Sequence, residues 1–154
     1  MHASLDIETS GYVLENVTND TDHWSGKDPV RPELNDSFRT SHGREVYGLK
    51  NDEGIFVSFV CVAYLDDIPS SVNDLDLFVT PNSYIAVPYA VWSYERGAGR
   101  EIISRLSLLM KELLYITRVI TLSPQTKMAE DFHIRNNAVK LRTNEETVNF
   151  EYHI

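Results

Sequence analysis

The sequence predicts a mixed α+β domain: a largely antiparallel sheet interrupted by one parallel strand–helix–strand crossover. Three observations carry this. Glu45–Leu49 and Ile55–Leu65 are rich in β-branched and aromatic residues and flank the turn Asn51–Gly54, the pattern of an antiparallel hairpin. The apolar run Tyr84–Trp92 leads through a glycine turn into a helical stripe, and then into a second apolar run, Arg118–Leu122. That connection is long enough for a right-handed parallel crossover. Val139–Arg142 and Thr147–Ile154, separated by Thr143–Glu146, predict a closing hairpin. At 154 residues the chain reads as one domain, residues 1–154.

Residues 1–10 form a polar lead-in. Gly11–Val17 alternates weakly, as an edge strand would. Residues 18–43 hold Gly, Pro, Asn and Asp in the proportions of loop chemistry. Pro32–Phe38 predicts two helical turns with Pro32 at the start, and Trp24, Leu34 and Phe38 are the anchors to the body. Ile55–Leu65 is apolar on both faces and should be central in the sheet. Asp66–Pro69 ends it, and Ser70–Leu75 predicts a short helical turn. A helix is expected over Glu101–Leu114, with Ile102, Ile103, Leu106, Leu109, Met110, Leu113 and Leu114 as its core stripe. Ser123–Thr126 starts a second helix that runs to Arg135. Asn136 and Asn137 stop it, Asn being suited to a left-handed cap.

Composition excludes several classes. No apolar run reaches the roughly 18 residues of a membrane span, so no membrane partner is expected. The N-terminus lacks the basic-then-apolar order of a secretory leader, and a cytoplasmic location is expected. The one cysteine, Cys61, lies in an apolar strand and reads as a buried, inert thiol. A formal charge of −9 argues against charge-driven binding to nucleic acid. It mildly favours a cationic acceptor such as an amine, and its plainest role is solubility. His23, His42 and His153 are scattered without metal-ligand spacing, so no metal is expected.

The most informative stretch is the turn at Arg96–Arg100, Arg-Gly-Ala-Gly-Arg, between a strand and a helix. A helix start exposes unsatisfied N–H groups and partial positive charge, and two arginines flank it, so the turn suits a phosphate or pyrophosphate. It lacks the Gly-Lys-Ser/Thr ending of a Walker loop. It also lacks the third glycine of a dinucleotide loop, which would fall at Ile102. It resembles the acyl-CoA loop of the Gcn5-related N-acetyltransferase superfamily, Arg/Gln-x-x-Gly-x-Gly/Ala. Arg96, Gly97 and Gly99 match, and Glu101 stands where the family prefers Gly or Ala. Downstream, Thr126-x-x-Ala129-x-x-x-His133 has the spacing of the family's Asn-x-x-Ala-x-x-x-Tyr, and Asn137-Ala138 replaces its Gly-Phe. The resemblance covers residues 44–154 well and residues 1–43 poorly.

The resemblance implies an acetyl-CoA-dependent N-acetyltransferase acting on an amine of a small molecule or protein. It implies that Val91 and Trp92 pair with the pantetheine arm through their backbone. A β-bulge would splay that strand from Arg118–Leu122 and open a thioester slot. The N–H groups of Arg96, Gly97, Ala98, Gly99, Arg100 and Glu101 would hold the pyrophosphate, and Thr126 would stand beside the pantetheine. Glu101 either crowds the phosphates or points away and caps the helix. His133 takes the place of the family's general acid and titrates near neutrality in its unperturbed state; its other reading is a helix histidine without a role. The strand before the loop carries no carboxylate base, which leaves water relayed by Ser123, or Glu151. Tyr89 or Tyr152 could line the slot, and Phe132 reads as core. A homodimer through the open side of the sheet is compatible with small members of the family. Two alternatives remain: a non-catalytic binding or assembly module on the same fold, and an acidic mimic of nucleic acid.

Overall fold

The computed structural model describes residues 11–154, so the reading of residues 1–10 as a polar lead-in without a leader lies outside the described residues. The strands are β1 (Val13–Asn16), β2 (Arg44–Lys50), β3 (Phe56–Leu65), β4 (Ile85–Ser93), β5 (Arg118–Ile120), β6 (Ser123–Pro124), β7 (Val139–Thr143) and β8 (Thr147–Tyr152). The helices are α1 (Asp36–Arg39), α2 (Asp74–Leu77), α3 (Ala98–Glu112) and α4 (Lys127–Arg135). They build one mixed sheet in the order β1-β2-β3-β4-β5-β8-β6, with β7 paired to β8. β1 is the edge and pairs antiparallel to β2. The β2–β3 hairpin is closed by Asn51, whose side-chain oxygen accepts from the N–H groups of Glu53 and Ile55. Among the described residues β4 and β5 form the one parallel pair, as the crossover requires.

From Phe59 onward β3 alternates strictly. Val60 and Val62 face α3, while Phe59, Cys61, Ala63 and Leu65 face the opposite side. Both faces are covered, and all these residues are buried, as a central strand demands. On the first face, α3 packs Ala98, Ile102, Ile103, Leu106 and Met110. On the second face lie Trp24, Leu34, Phe38 and Leu75, so the poorly readable segment acts as the lid of a second core. Trp24 is 1% exposed and its indole N–H donates to the Val17 carbonyl at 2.9 Å.

Several boundaries differ from expectation. α3 starts three residues early, at Ala98, because Gly97 adopts φ +85° and turns the chain directly into the helix. It ends at Glu112, so Leu114 is 92% exposed and not part of the core stripe. Pro32 does not start a helix; α1 starts at Asp36, where the Asn35 side chain caps the Phe38 N–H. Ser123–Pro124 pairs with β8 and does not open the second helix; the Thr126 hydroxyl caps α4 by accepting from the Ala129 N–H at 3.2 Å. α4 ends at Arg135 with Asn136 as its cap, followed by Asn137 at φ +73°, the left-handed position its type allows.

Candidate functional site

β4 changes register opposite Cys61 and Val62. Ala90 pairs with Cys61 and Pro88 with Val62, so Tyr89 is the extra residue of a bulge. Pro88 sits beside it, where a missing N–H costs no ladder bond. The parallel pairing with β5 covers only Ile85–Arg118 and Ala86–Val119. A last contact runs from the Leu122 N–H to the Pro88 carbonyl at 3.3 Å. Beyond it the two strands part. The gap is a cleft of about 600 Å³ bounded by Ala90–Ser93 of β4, Gly99 of α3, Leu122–Pro124, and Phe132 and His133 of α4. The expected bulge and splay are therefore present, and they come from Tyr89.

At one end of the cleft stands the glycine turn. The Ala98 N–H is used by the Glu95 carbonyl and the Glu101 N–H by the Gly97 carbonyl. Among the described residues, the N–H groups of Gly97, Gly99 and Arg100 have no protein acceptor. Gly99 is also needed for space: a Cβ there would lie 3.0 Å from the Phe132 ring. The side chains of Arg96 and Arg100 are exposed beside the turn. The Glu101 carboxylate points along the helix, where it accepts from Arg105 Nε at 2.8 Å. Arg105 in turn donates to the Tyr12 carbonyl. Of the two alternatives for Glu101, it faces away from the turn, but its carboxylate pairs with Arg105 and does not cap the helix start. Val91 and Trp92 lie on the open edge of β4, and Thr126 lines the cleft while its hydroxyl caps α4.

At the other end, Ser123 and His133 meet. Ser123 Oγ lies 3.1 Å from His133 Nε2, and His133 Nδ1 lies 2.6 Å from the Tyr152 hydroxyl. Ser123 Oγ is also 2.8 Å from Thr121 Oγ1, which accepts the Phe150 N–H. The imidazole stacks on Phe150 at 5.0 Å. A hydrogen-bonded chain thus runs from Thr121 through Ser123 and His133 to Tyr152. Burial pushes the His133 pKa down to about 4, so the ring is neutral at pH 7. The expectation that His133 titrates near neutrality is corrected: the histidine is 6% exposed, and burial disfavours its cation. Burial also raises the Tyr152 phenol above its ordinary value. Glu151, one residue before Tyr152, points elsewhere. It is gripped by Arg118 through two bonds of 2.8 and 2.9 Å, which hold its carboxyl below the usual range, and it does not line the cleft.

Cys61 is fully buried and its thiol is pushed up to about 11, chiefly by burial, as an inert core thiol. Among the described residues no group of three or more His, Cys, Asp or Glu could hold a metal ion. No helix among them is long and apolar enough to cross a membrane. Sequence reasoning missed Arg31, which reaches from the long loop into the seam, and did not link Tyr152 to His133. The loop carries no periodicity to place Arg31. The i, i+2 spacing of Thr121 and Ser123 on a strand was the only sign of a shared polar face.

No protein-family profile and no curated protein sequence matches the chain. Solved structures do. The GNAT domain of PAT from S. lividans superposes with a TM-score of 0.65 at 15% identity, covering 92% of this chain and 89% of that one. Malonyl-CoA decarboxylase from Agrobacterium vitis gives 0.58 at 18%, covering 84% of this chain; the chain spans only 37% of that enzyme's length. The PaiA N-acetyltransferase from Thermoplasma acidophilum, solved in complex with coenzyme A, gives 0.53 at 10%, covering 73% of this chain and 62% of that one. Identities this low speak to architecture alone, and the bulged β4, the parallel β4–β5 crossover and the glycine turn agree with it: the chain has the fold of the Gcn5-related N-acetyltransferases.

Proposed function

We propose that the cleft binds acetyl-CoA and that the chain transfers the acetyl group to an amine. The observation that carries this is the Ser123–His133 pair set in a splayed β4–β5 cleft whose other end is a glycine turn with free N–H donors. The pyrophosphate would lie on the N–H groups of Gly97, Gly99 and Arg100, with Arg96 and Arg100 adding charge. The pantetheine arm would extend along Ala90–Ser93 as an added strand. The thioester then reaches Ser123. Attack by a neutral amine on the thioester carbon forms the C–N bond and breaks the C–S bond; the nitrogen, cationic after attack, loses one proton to solvent, and the leaving thiolate takes one. Of the hydrogen-bonded chain, Ser123 and His133 line the cleft, and the Ser123 hydroxyl is the proton donor in this reading. A neutral imidazole accepts at one nitrogen and donates at the other, so the chain can deliver a proton at Ser123 and be refilled from the Tyr152 side. No charged histidine is required. Calorimetric titration with acetyl-CoA tests the reading: saturable heat is expected, and none at millimolar ligand overturns it.

A second reading is favoured by one specific observation. Among the described residues no Asp or Glu lines the cleft, so no carboxylate in it would hold an ammonium or take its proton. The same site suits loss of carbon dioxide from a malonyl thioester, the substrate named for the Agrobacterium vitis decarboxylase. There the bond to the carboxylate breaks, its electron pair moves into the thioester carbonyl, and the Ser123 hydroxyl donates to the developing oxygen charge. A proton from solvent then completes the acetyl group. Incubation with malonyl-CoA and no amine separates the two readings: acetyl-CoA accumulates only under the second.

A further inference from the structure

Arg31 is 8% exposed and belongs to the loop whose neighbours Pro29 and Val30 line the cleft. Its Nε donates to the Tyr89 carbonyl at 3.3 Å and its Nη2 to the Leu122 carbonyl at 3.0 Å. One guanidinium therefore spans the two strands where they part, touching the bulge residue on one side and the residue before Ser123 on the other. Among the described residues no carboxylate lies within 4 Å of it, and Nη1 has no protein acceptor.

The charge around it does not balance. Asp28 is the nearest buried acid, and it is committed to Arg39, whose Nη1 lies 2.7 Å from Asp28 Oδ2 with both side chains almost fully buried. The other Asp28 oxygen accepts the N–H groups of Val30 and Arg31. Glu33, two residues along the chain, is exposed and acts on Arg31 through space without pairing with it. Cys61 and Tyr89 are both shifted upward by burial and are neutral at pH 7. Two buried guanidinium groups thus share one buried carboxylate. A buried cation without an ionic partner is costly in a low dielectric, and the cost falls when an anion arrives. The cleft, lined by its neighbours Pro29 and Val30 and by its hydrogen-bond partners Tyr89 and Leu122, has no acidic side chain among the described residues to supply one.

We propose that Arg31 makes the Ser123 end of the cleft a carboxylate-accepting site, so that the substrate carries a carboxylate close to the reacting carbonyl. This rests on the reading of the cleft as an acyl-CoA site. The carboxylate can belong to the acyl group, as in malonyl-CoA, or to the acceptor, as in an amino acid. A planar, permanently charged fork that already holds two carbonyls is a fixed donor for such a group.

Competition binding distinguishes the outcomes. Affinities are measured for CoA, acetyl-CoA and malonyl-CoA, and then for glycine against ethanolamine in saturating acetyl-CoA, on the native protein and on Arg31→Gln. A malonyl-CoA preference of about tenfold over acetyl-CoA that collapses in Arg31→Gln places the carboxylate on the acyl group. The same preference for glycine places it on the acceptor. Equal affinity in both arms on the native protein overturns the proposal, as does a preference that survives in Arg31→Gln. Because equal affinities on the native protein are decisive by themselves, failure of the variant to fold does not rescue the idea; Arg31→Lys, which keeps the charge, then serves as the second variant and is expected to retain part of the preference. If CoA itself fails to bind, the acyl-CoA reading falls and this inference with it, whereas CoA binding without carboxylate preference removes this inference alone.

Discussion

Replacing His133 by Gln tests whether the imidazole is held neutral by its surroundings. The ordinary histidine pKa of 6.5 falls to about 4 in the fold because the ring is buried between Phe132, Phe150 and Tyr152. A depressed histidine pKa means that the unfolded chain binds the proton more tightly. The contribution to stability is complete above pH 6.5 and is lost as pH falls towards 4. At about 1.4 kcal/mol per pKa unit, the loss between pH 7 and pH 5 comes to roughly 2 kcal/mol, and below pH 4 it approaches roughly 3 kcal/mol. Urea unfolding of the native protein and of His133→Gln at pH 7 and pH 5 reads this directly. Other groups titrate in both proteins, so the quantity of interest is the difference between the two pH dependences. His133→Gln is expected to be less stable at pH 7 yet to lose about 2 kcal/mol less on acidification. Identical slopes, or an NMR titration of His133 near pH 6.5, would refute the buried neutral imidazole and the proton route built on it.

Three further outcomes follow from named contacts. Ser123→Ala keeps the fold and the phosphate end of the cleft, so it should bind CoA within about twofold of the native protein while turnover drops about 100-fold or more; unchanged turnover in a coupled thiol-release assay removes Ser123 from the chemistry. Leu106→Ala opens a cavity where α3 meets the sheet, and should cost about 2–5 kcal/mol by chemical denaturation. Arg39→Met leaves the Asp28 carboxylate buried without its cation and should cost about 3–5 kcal/mol at pH 7; a loss under about 1 kcal/mol would mean that the pair is not buried as described, and that the charge count around Arg31 is wrong.

The parts of the chain that could be read from sequence are those where one periodicity dominates. The Ile102–Ile103–Leu106–Met110 stripe, the double-faced run of β3 and the β2–β3 turn each follow from local rules, and each is where those rules place it. The boundaries that slipped are those set by capping. Gly97 in a left-handed conformation pulled the start of α3 forward, and Asn35 moved the start of α1 away from Pro32. His133 shows the same limit in chemistry. Its spacing from Thr126 located it on the cleft, but only the packing of Phe150 and Tyr152 against it fixes its protonation.

Arg31 is the harder case, and it explains why the acceptor could not be named from the sequence. Residues 17–43 have no repeating pattern because their backbone is satisfied piecemeal. Asp28 accepts two main-chain N–H groups, Arg39 donates to the carbonyls of Arg31 and Leu34, and Trp24 donates to Val17. Such a segment is specified by single long-range contacts between polar side chains and main chain, which leave no trace in hydropathy. Its consequence is nonetheless electrostatic and large. The whole chain carries −9, yet the splayed seam is bordered by an excess of buried positive charge and, among the described residues, by no acid. Exposed charges more than about 8 Å away are screened at physiological salt, whereas the buried guanidinium is not. Under the proposed reading, the local cation and not the overall acidity would select substrates at the Ser123 end of the cleft, and net charge alone is then no basis for a cationic amine there.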